Sequence, residues 1–151
     1  MTTSPIDNSV TVLHALLTED METFRRLHAA QNAEERRAFA VVLTAAFTTA
    51  ALERFGEQPS PADIIGFVAD ARARVVGPEA VPPEDAERVI RAALGEDHLI
   101  DAMDGRAYGA AQTSMLFAIT HENGASAERV GGLLAEAAEE AAAYFRRRAG
   151  R

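Results

Sequence analysis

The sequence predicts an all-α protein, a compact bundle of six to seven helices, and three observations carry that expectation. Ala38 to Leu52 runs for fifteen residues without a charge in a chain that is 25% charged. A second charge-free run spans Ala107 to Thr120. A helix that is apolar on every side has to be enclosed by other elements, so both read as central. Elsewhere apolar residues recur at three- and four-residue steps, the helical period, and no strand-type alternation occurs.

Taken in order, residues 1–8 read as a flexible arm and 9–151 as a single helical domain. From Ser9, Val10, Leu13, Leu17, Met21, Phe24 and Leu27 form one stripe, with Thr18, Glu19 and Asp20 available to cap a second segment. Asn32 is an expected N-cap, with Glu34 and Glu35 in the first turn, where the helix dipole favours negative charge. That helix holds Ala38 to Leu52, runs to Phe55, and stops at Gly56.

Ser60 followed by Pro61 is a helix start, since proline at the first helical position loses no hydrogen bond. Ile64, Ile65, Phe67, Val68, Ala71 and Val75 are the expected buried face, ended by Gly77 and Pro78. After the linker GPEAVPP, a short amphipathic helix from Glu84 to Leu94 buries Ala86, Val89, Ile90, Ala93 and Leu94. Leu99, Ile100 and Met103 sit in a short helix before the second charge-free helix. Asn123 and Gly124 end that one, and Ser126 caps the last. There Val130, Leu133, Leu134, Ala137, Ala141 and Tyr144 or Phe145 face inward. Gly131 and Gly132 are read as permitting close helix packing, and Arg146 to Arg148 complement the helix C-terminus.

An internal duplication is one reading of these segments. SPADIIGFVADA from Ser60 lies over SAERVGGLLAEA from Ser126, and each follows a charge-free helix ending in glycine. The halves would be 9–76 and 84–149, with the two charge-free helices meeting near a pseudo-twofold axis. The competing reading is that Ala-rich capped helices resemble one another by composition alone.

The 151 residues suffice to bury roughly 70% of the unfolded chain's surface in one domain. With no cysteine, disulfides, thiol catalysis and thiolate metal sites are excluded. The first residues lack a secretory pattern, so a cytoplasmic location is expected. No membrane association is expected, because neither charge-free run reaches the roughly 20 apolar residues of a span. The fifteen basic residues are all arginine, which reads as codon bias before chemistry, and a net charge of −8 makes nucleic acid an unlikely partner.

The strongest polar concentration lies between Glu79 and Asp104, where eight carboxylates face only Arg88 and Arg91 and so hold −6 of the net −8. Glu84, Asp85, Glu87, Glu96, Asp97, Asp101 and Asp104 are the candidate partner-binding face. Within it Asp97, His98, Asp101 and Asp104 are spaced for one side of a helix and form a candidate hard-metal set, although the EF-hand and HExxH patterns are both missing. Capping alone explains acids at helix starts.

No catalytic residue is assigned. Ser114 and His121 share a face but stand about 10.5 Å apart along a helix, and no nucleophile elbow surrounds the serine. His14 and His28 flank apolar stripes. Arg72, Arg74, Arg88 and Arg91 lack a helix-turn-helix spacing. Arg25, Arg26, Arg36 and Arg37 are expected to pair with Glu22, Glu34 or Glu35.

The leading functional expectation is therefore a non-catalytic protein–protein interaction or regulatory module with no cofactor, its partner another protein or a second copy in a homodimer. The alternative is a small-molecule or divalent-metal-binding protein, an enzyme included, with a pocket between the two central helices. A DNA-binding regulator is the weaker third.

Overall fold

The computed structural model describes residues 3–56, 58–74, 81–122, 124 and 126–150, which are all-α, with no strand among them. The helices are α1 (Pro5–Leu17), α2 (Met21–Ala29), α3 (Ala33–Phe55), α4 (Pro61–Arg74), α5 (Pro83–Ala93), α6 (Gly105–His121) and α7 (Ala127–Ala149), with a 3-10 turn at Asp97–Ile100. Val75, Gly77, Pro78, Glu79 and Asn123 lie outside the described residues. The chain divides into two compact units, residues 1–46 with 120–151, and residues 47–119. That division cuts across the linear one at the proline-rich linker.

In the first unit α1 packs against α2 and α7. It begins at Pro5, four residues before the expected start, so Pro5 to Asn8 belong to the helix and not to an arm. The cause is the same serine–proline start as at Ser60: Ser4 Oγ accepts from the Asp7 N–H at 3.1 Å. Val12, Leu13, Leu16 and Leu17 fill the core. The break offered at Thr18 is real, with Glu19 in the left-handed region at φ 63° and Asp20 capping α2 through Thr23 N–H at 3.2 Å.

Asn32 and Glu35 then form a reciprocal capping box, each side chain accepting from the other's backbone N–H, at 2.8 and 2.9 Å. This occupies Glu35, while Arg36 donates to the Gln31 carbonyl at 2.7 Å. Among the described residues no ion pair joins Arg25, Arg26, Arg36 or Arg37 to Glu22, Glu34 or Glu35. In α7 Ser126 accepts from Arg129 N–H at 3.1 Å, and Val130, Leu134, Ala137 and Ala141 are buried. Gly131 and Gly132 are exposed, and a Cβ at either would meet nothing within 4 Å, so the close packing expected there does not occur.

In the second unit the end of α3 supplies Phe47, Ala50, Ala51 and Phe55 to the core. The Phe55 and Phe67 rings meet edge to face at 5.4 Å, with the Arg54 guanidinium 4.9 Å from the first ring centre. Ser60 Oγ accepts from Asp63 N–H at 3.1 Å, and α4 buries Ile64, Phe67, Val68 and Ala71. Ile65 is not on that face: it is 57% exposed. Helix α5 packs on α4 and on the 3-10 turn, burying Ala86, Val89, Ile90 and Ala92, with Ala93 and Leu94 half-buried. Asp104 caps α6, its Oδ1 accepting from Ala107 N–H at 2.7 Å. Because Ser4 caps α1 as Ser60 and Ser126 cap α4 and α7, yet lies outside the aligned segments, the shared cap is local helix grammar.

Within the charge-free run of α3, Ala38 to Leu52, the buried residues are Ala38, Phe39, Val42, Leu43, Ala46, Phe47, Ala50 and Ala51. Steps of one and three trace one broad stripe, so the helix is not enclosed on every side as expected. Val41, Thr44, Ala45, Thr48 and Thr49 are half-buried and Leu52 is 44% exposed. Small residues and threonines tolerate that intermediate position because a threonine hydroxyl can bond its own helix backbone. By length and composition α3 is the one described helix long and apolar enough to cross a membrane, and 44% of its apolar window is buried inside the protein.

Candidate functional site

The larger groove described lies within the second unit, on the surface shared by α4 and α5. Its volume is about 510 Å³. Pro59, Pro61, Ile64, Ile65 and Leu94 give it an apolar floor, and Gln58, Glu87, Arg91 and Glu96 line it with polar groups. Helical spacing explains the two walls. Pro61, Ile64 and Ile65 stand three and four residues apart on α4, and Glu87, Arg91 and Leu94 do the same at the end of α5.

Arg91 is the electrostatic centre. Its Nε and one terminal nitrogen donate to the two Glu96 carboxylate oxygens at 2.7 and 2.8 Å, a bidentate fork. The α5 terminus turns back through Gly95, at φ +123°, to bring Glu96 into place. The hydrogen bonds to Glu96 raise the Arg91 pKa above its ordinary value, and those to Arg91 hold the Glu96 carboxyl below the usual glutamate range. Both groups face solvent, so the pair fixes geometry more than it adds stability.

The predicted acidic face is dispersed over different roles. Glu87 and Glu96 line the groove, and Glu84 is exposed one turn before Glu87. Asp85 faces Arg88 at 3.8 Å, Asp104 serves as a helix cap, and Asp97 and Asp101 are exposed. Among the described residues no three His, Asp or Glu side chains come together to hold a metal ion, so Asp97, His98, Asp101 and Asp104 are not assembled as a site. Their spacing presumed a continuous α-helix, whereas a 3-10 turn ends at Ile100 and Asp104 starts the next helix.

Sequence reasoning missed Ile65 and Leu94 as groove residues. The signal was present in the adjacent pair Ile64–Ile65: neighbours on a helix point about 100° apart, so a stripe through Ile64, Val68 and Ala71 leaves Ile65 off it. The four arginines weighed for nucleic acid are held within the unit. Arg72 donates to the Val81 carbonyl at 3.2 Å, Arg74 to the Asp70 carbonyl at 3.3 Å, and Arg88 and Arg91 meet Asp85 and Glu96.

A second groove of about 400 Å³ lies within the first unit, bordered by Ser4, Pro5, Ile6, Glu34, Arg37, Ala38 and Phe145. His28 lies nearby in sequence, stacked on Phe24 at 5.4 Å and edge-on to Phe39 at 5.3 Å, a packing role. Comparison of the chain with protein-family models, curated proteins and solved structures gives no match.

Proposed function

We propose that the chain is a non-catalytic protein–protein interaction module and that a partner seats in the α4–α5 groove. The observation that supports this most is Ile65, a large aliphatic side chain 57% exposed on the floor of an otherwise ordinary helical surface. The groove is also an open trough. Of its nine lining residues Ile64 alone is fully buried, the others being half-buried or exposed. Small-molecule sites enclose most of their ligand, so an open apolar trough with a polar rim suits a segment of another macromolecule better.

A photoreactive residue placed at Ala69, exposed and one turn beyond Ile65, tests this inside cells against the same residue placed at the exposed Arg129. A discrete protein adduct from position 69, lost when Ile65→Asp is added and missing from position 129, is the expected result. Equal adducts from both positions, or none from position 69, would overturn it.

A further inference from the structure

Resting on that reading, we infer that the occupant of the α4–α5 groove is a basic amphipathic helix, with an apolar stripe for Ile65 and Leu94 and arginine or lysine on its flanks. Charge sets the sign. The groove holds two carboxylates, Glu87 and Glu96, against one guanidinium, and the Glu96 carboxylate balances that guanidinium's charge through the fork at 2.7 and 2.8 Å. An acidic partner would meet an Arg91 whose charge Glu96 already balances, with Glu87 left over to repel it, whereas a basic one meets Glu87 directly. Glu84 extends the same row one turn along α5, and Asp97 and Asp101 are exposed beyond its other end. The whole second unit has twelve carboxylates and six arginines, −6 of the chain's −8. An incoming cation is therefore attracted before contact and an incoming anion repelled.

The shape of the occupant follows from the floor. An extended peptide laid on Pro59, Pro61, Ile64, Ile65 and Leu94 would leave its backbone N–H and C=O groups over apolar carbon. It would find no sheet edge among the described residues to join. A helix satisfies its own backbone and presents side chains at i, i+3, i+4 and i+7. The α5 wall from Glu87 to Leu94 rises about 10.5 Å, so two helical turns of the partner span it.

The test uses the full chain and four synthetic helical peptides of about 18 residues, long enough for several turns. Three share one leucine stripe, with arginine, glutamine or glutamate at every other position, and the fourth is the arginine peptide scrambled to abolish the stripe. Fluorescence anisotropy near physiological ionic strength gives the affinities. The striped arginine peptide should bind at least roughly tenfold tighter than the glutamine one and than the scrambled one, with the glutamate peptide weakest. Ile65→Asp and, as a milder second variant, Ile65→Gln should each weaken the arginine peptide. Glu87→Gln should weaken it by about threefold and flatten its salt dependence. Ile65 is exposed and Glu87 half-buried, and circular dichroism confirms that the variants are folded.

Equal binding of the striped arginine and glutamine peptides, both sensitive to Ile65, overturns the basic partner while leaving the interaction reading intact. Equal binding of the striped and scrambled arginine peptides reduces the attraction to plain charge and overturns the groove as well. Binding of none of the peptides overturns both. Self-association in sedimentation velocity that Ile65→Asp abolishes makes the occupant a second copy and overturns the separate basic partner.

Discussion

His121 Nε2 lies 2.9 Å from the backbone carbonyl of Leu17, 104 positions earlier in the chain, and completes the last turn of α1. The final carbonyls of a helix have no partner within it. Here the Thr18 N–H reaches His14 O at 3.0 Å, Asp20 N–H reaches Ala15 O at 2.9 Å, and Glu19 N–H reaches Leu16 O at 3.1 Å. The imidazole takes the fourth. A carbonyl can only accept, so Nε2 carries the proton.

His121→Ala should therefore destabilise the chain by about 1–2 kcal/mol, the cost of leaving a part-buried carbonyl without its donor. In urea unfolding the midpoint falls with the slope unchanged. His121→Gln, which keeps a donor, should lose less. A wild-type midpoint in His121→Ala would show that water replaces the imidazole without cost.

Glu19 is the residue in α1's termination that is chemically out of place. The two bonds from Glu19 and Asp20 make a Schellman arrangement, and its left-handed position is usually glycine. A side chain at φ 63° carries a steric penalty of roughly 1–2 kcal/mol, part of which glycine recovers against its larger unfolded-state entropy. Glu19→Gly should raise stability by about 0.5–1 kcal/mol, read as a higher thermal midpoint. A fall would mean that the Glu19 carboxylate makes a compensating contribution.

The difference between Gly56 and Glu19 shows how legibility worked. Gly56, at φ +72°, advertises the end of α3, whereas the break before α2 uses the same backbone device with no glycine to announce it. Caps written in Ser, Asn and Asp were legible at Asn32, Ser60 and Ser126, and Ser4 obeys the same rule. Burial was less legible, because a stripe can be read from spacing while its width depends on neighbours. Ile65 fell outside the stripe for that reason, and half of α3 is only partly covered. The groove itself was not legible. The fork between Arg91 and Glu96 is local, five residues apart across the Gly95 turn, but the groove depends on α5 packing against α4, a tertiary arrangement that no spacing rule encodes.

The glycines of α7 give a third expectation. Gly131 and Gly132 are exposed in a regular helix, and a methyl group on either would have no neighbour within 4 Å, although the sequence suggests a close-packing role for both. With no packing role within the chain, each costs the helix about 1 kcal/mol relative to alanine. Gly131→Ala and Gly132→Ala should each stabilise the protein by about that amount, and nearly additively if α7 stays straight. Either variant unfolding more easily than wild type would mean that this face needs the bare backbone.

Asp20 links the α1–α2 junction to pH. Its carboxylate accepts a hydrogen bond from Thr23, and this, with a smaller attraction from Arg26, holds its pKa below the usual aspartate value of 3.8. A depressed folded-state pKa means that the unfolded chain binds the proton first as pH falls. The contribution is therefore complete above the ordinary aspartate range. It declines as pH drops through 3.8 and is gone below the folded-state value. Asp20→Asn keeps a cap acceptor but removes the charge and its titration. Stability measured by urea unfolding from pH 6 down to pH 3 should show wild type ahead of Asp20→Asn at the upper end, with the gap closing towards the lower end. A gap independent of pH would assign the difference between the two caps to hydrogen-bond geometry and not to the carboxylate charge.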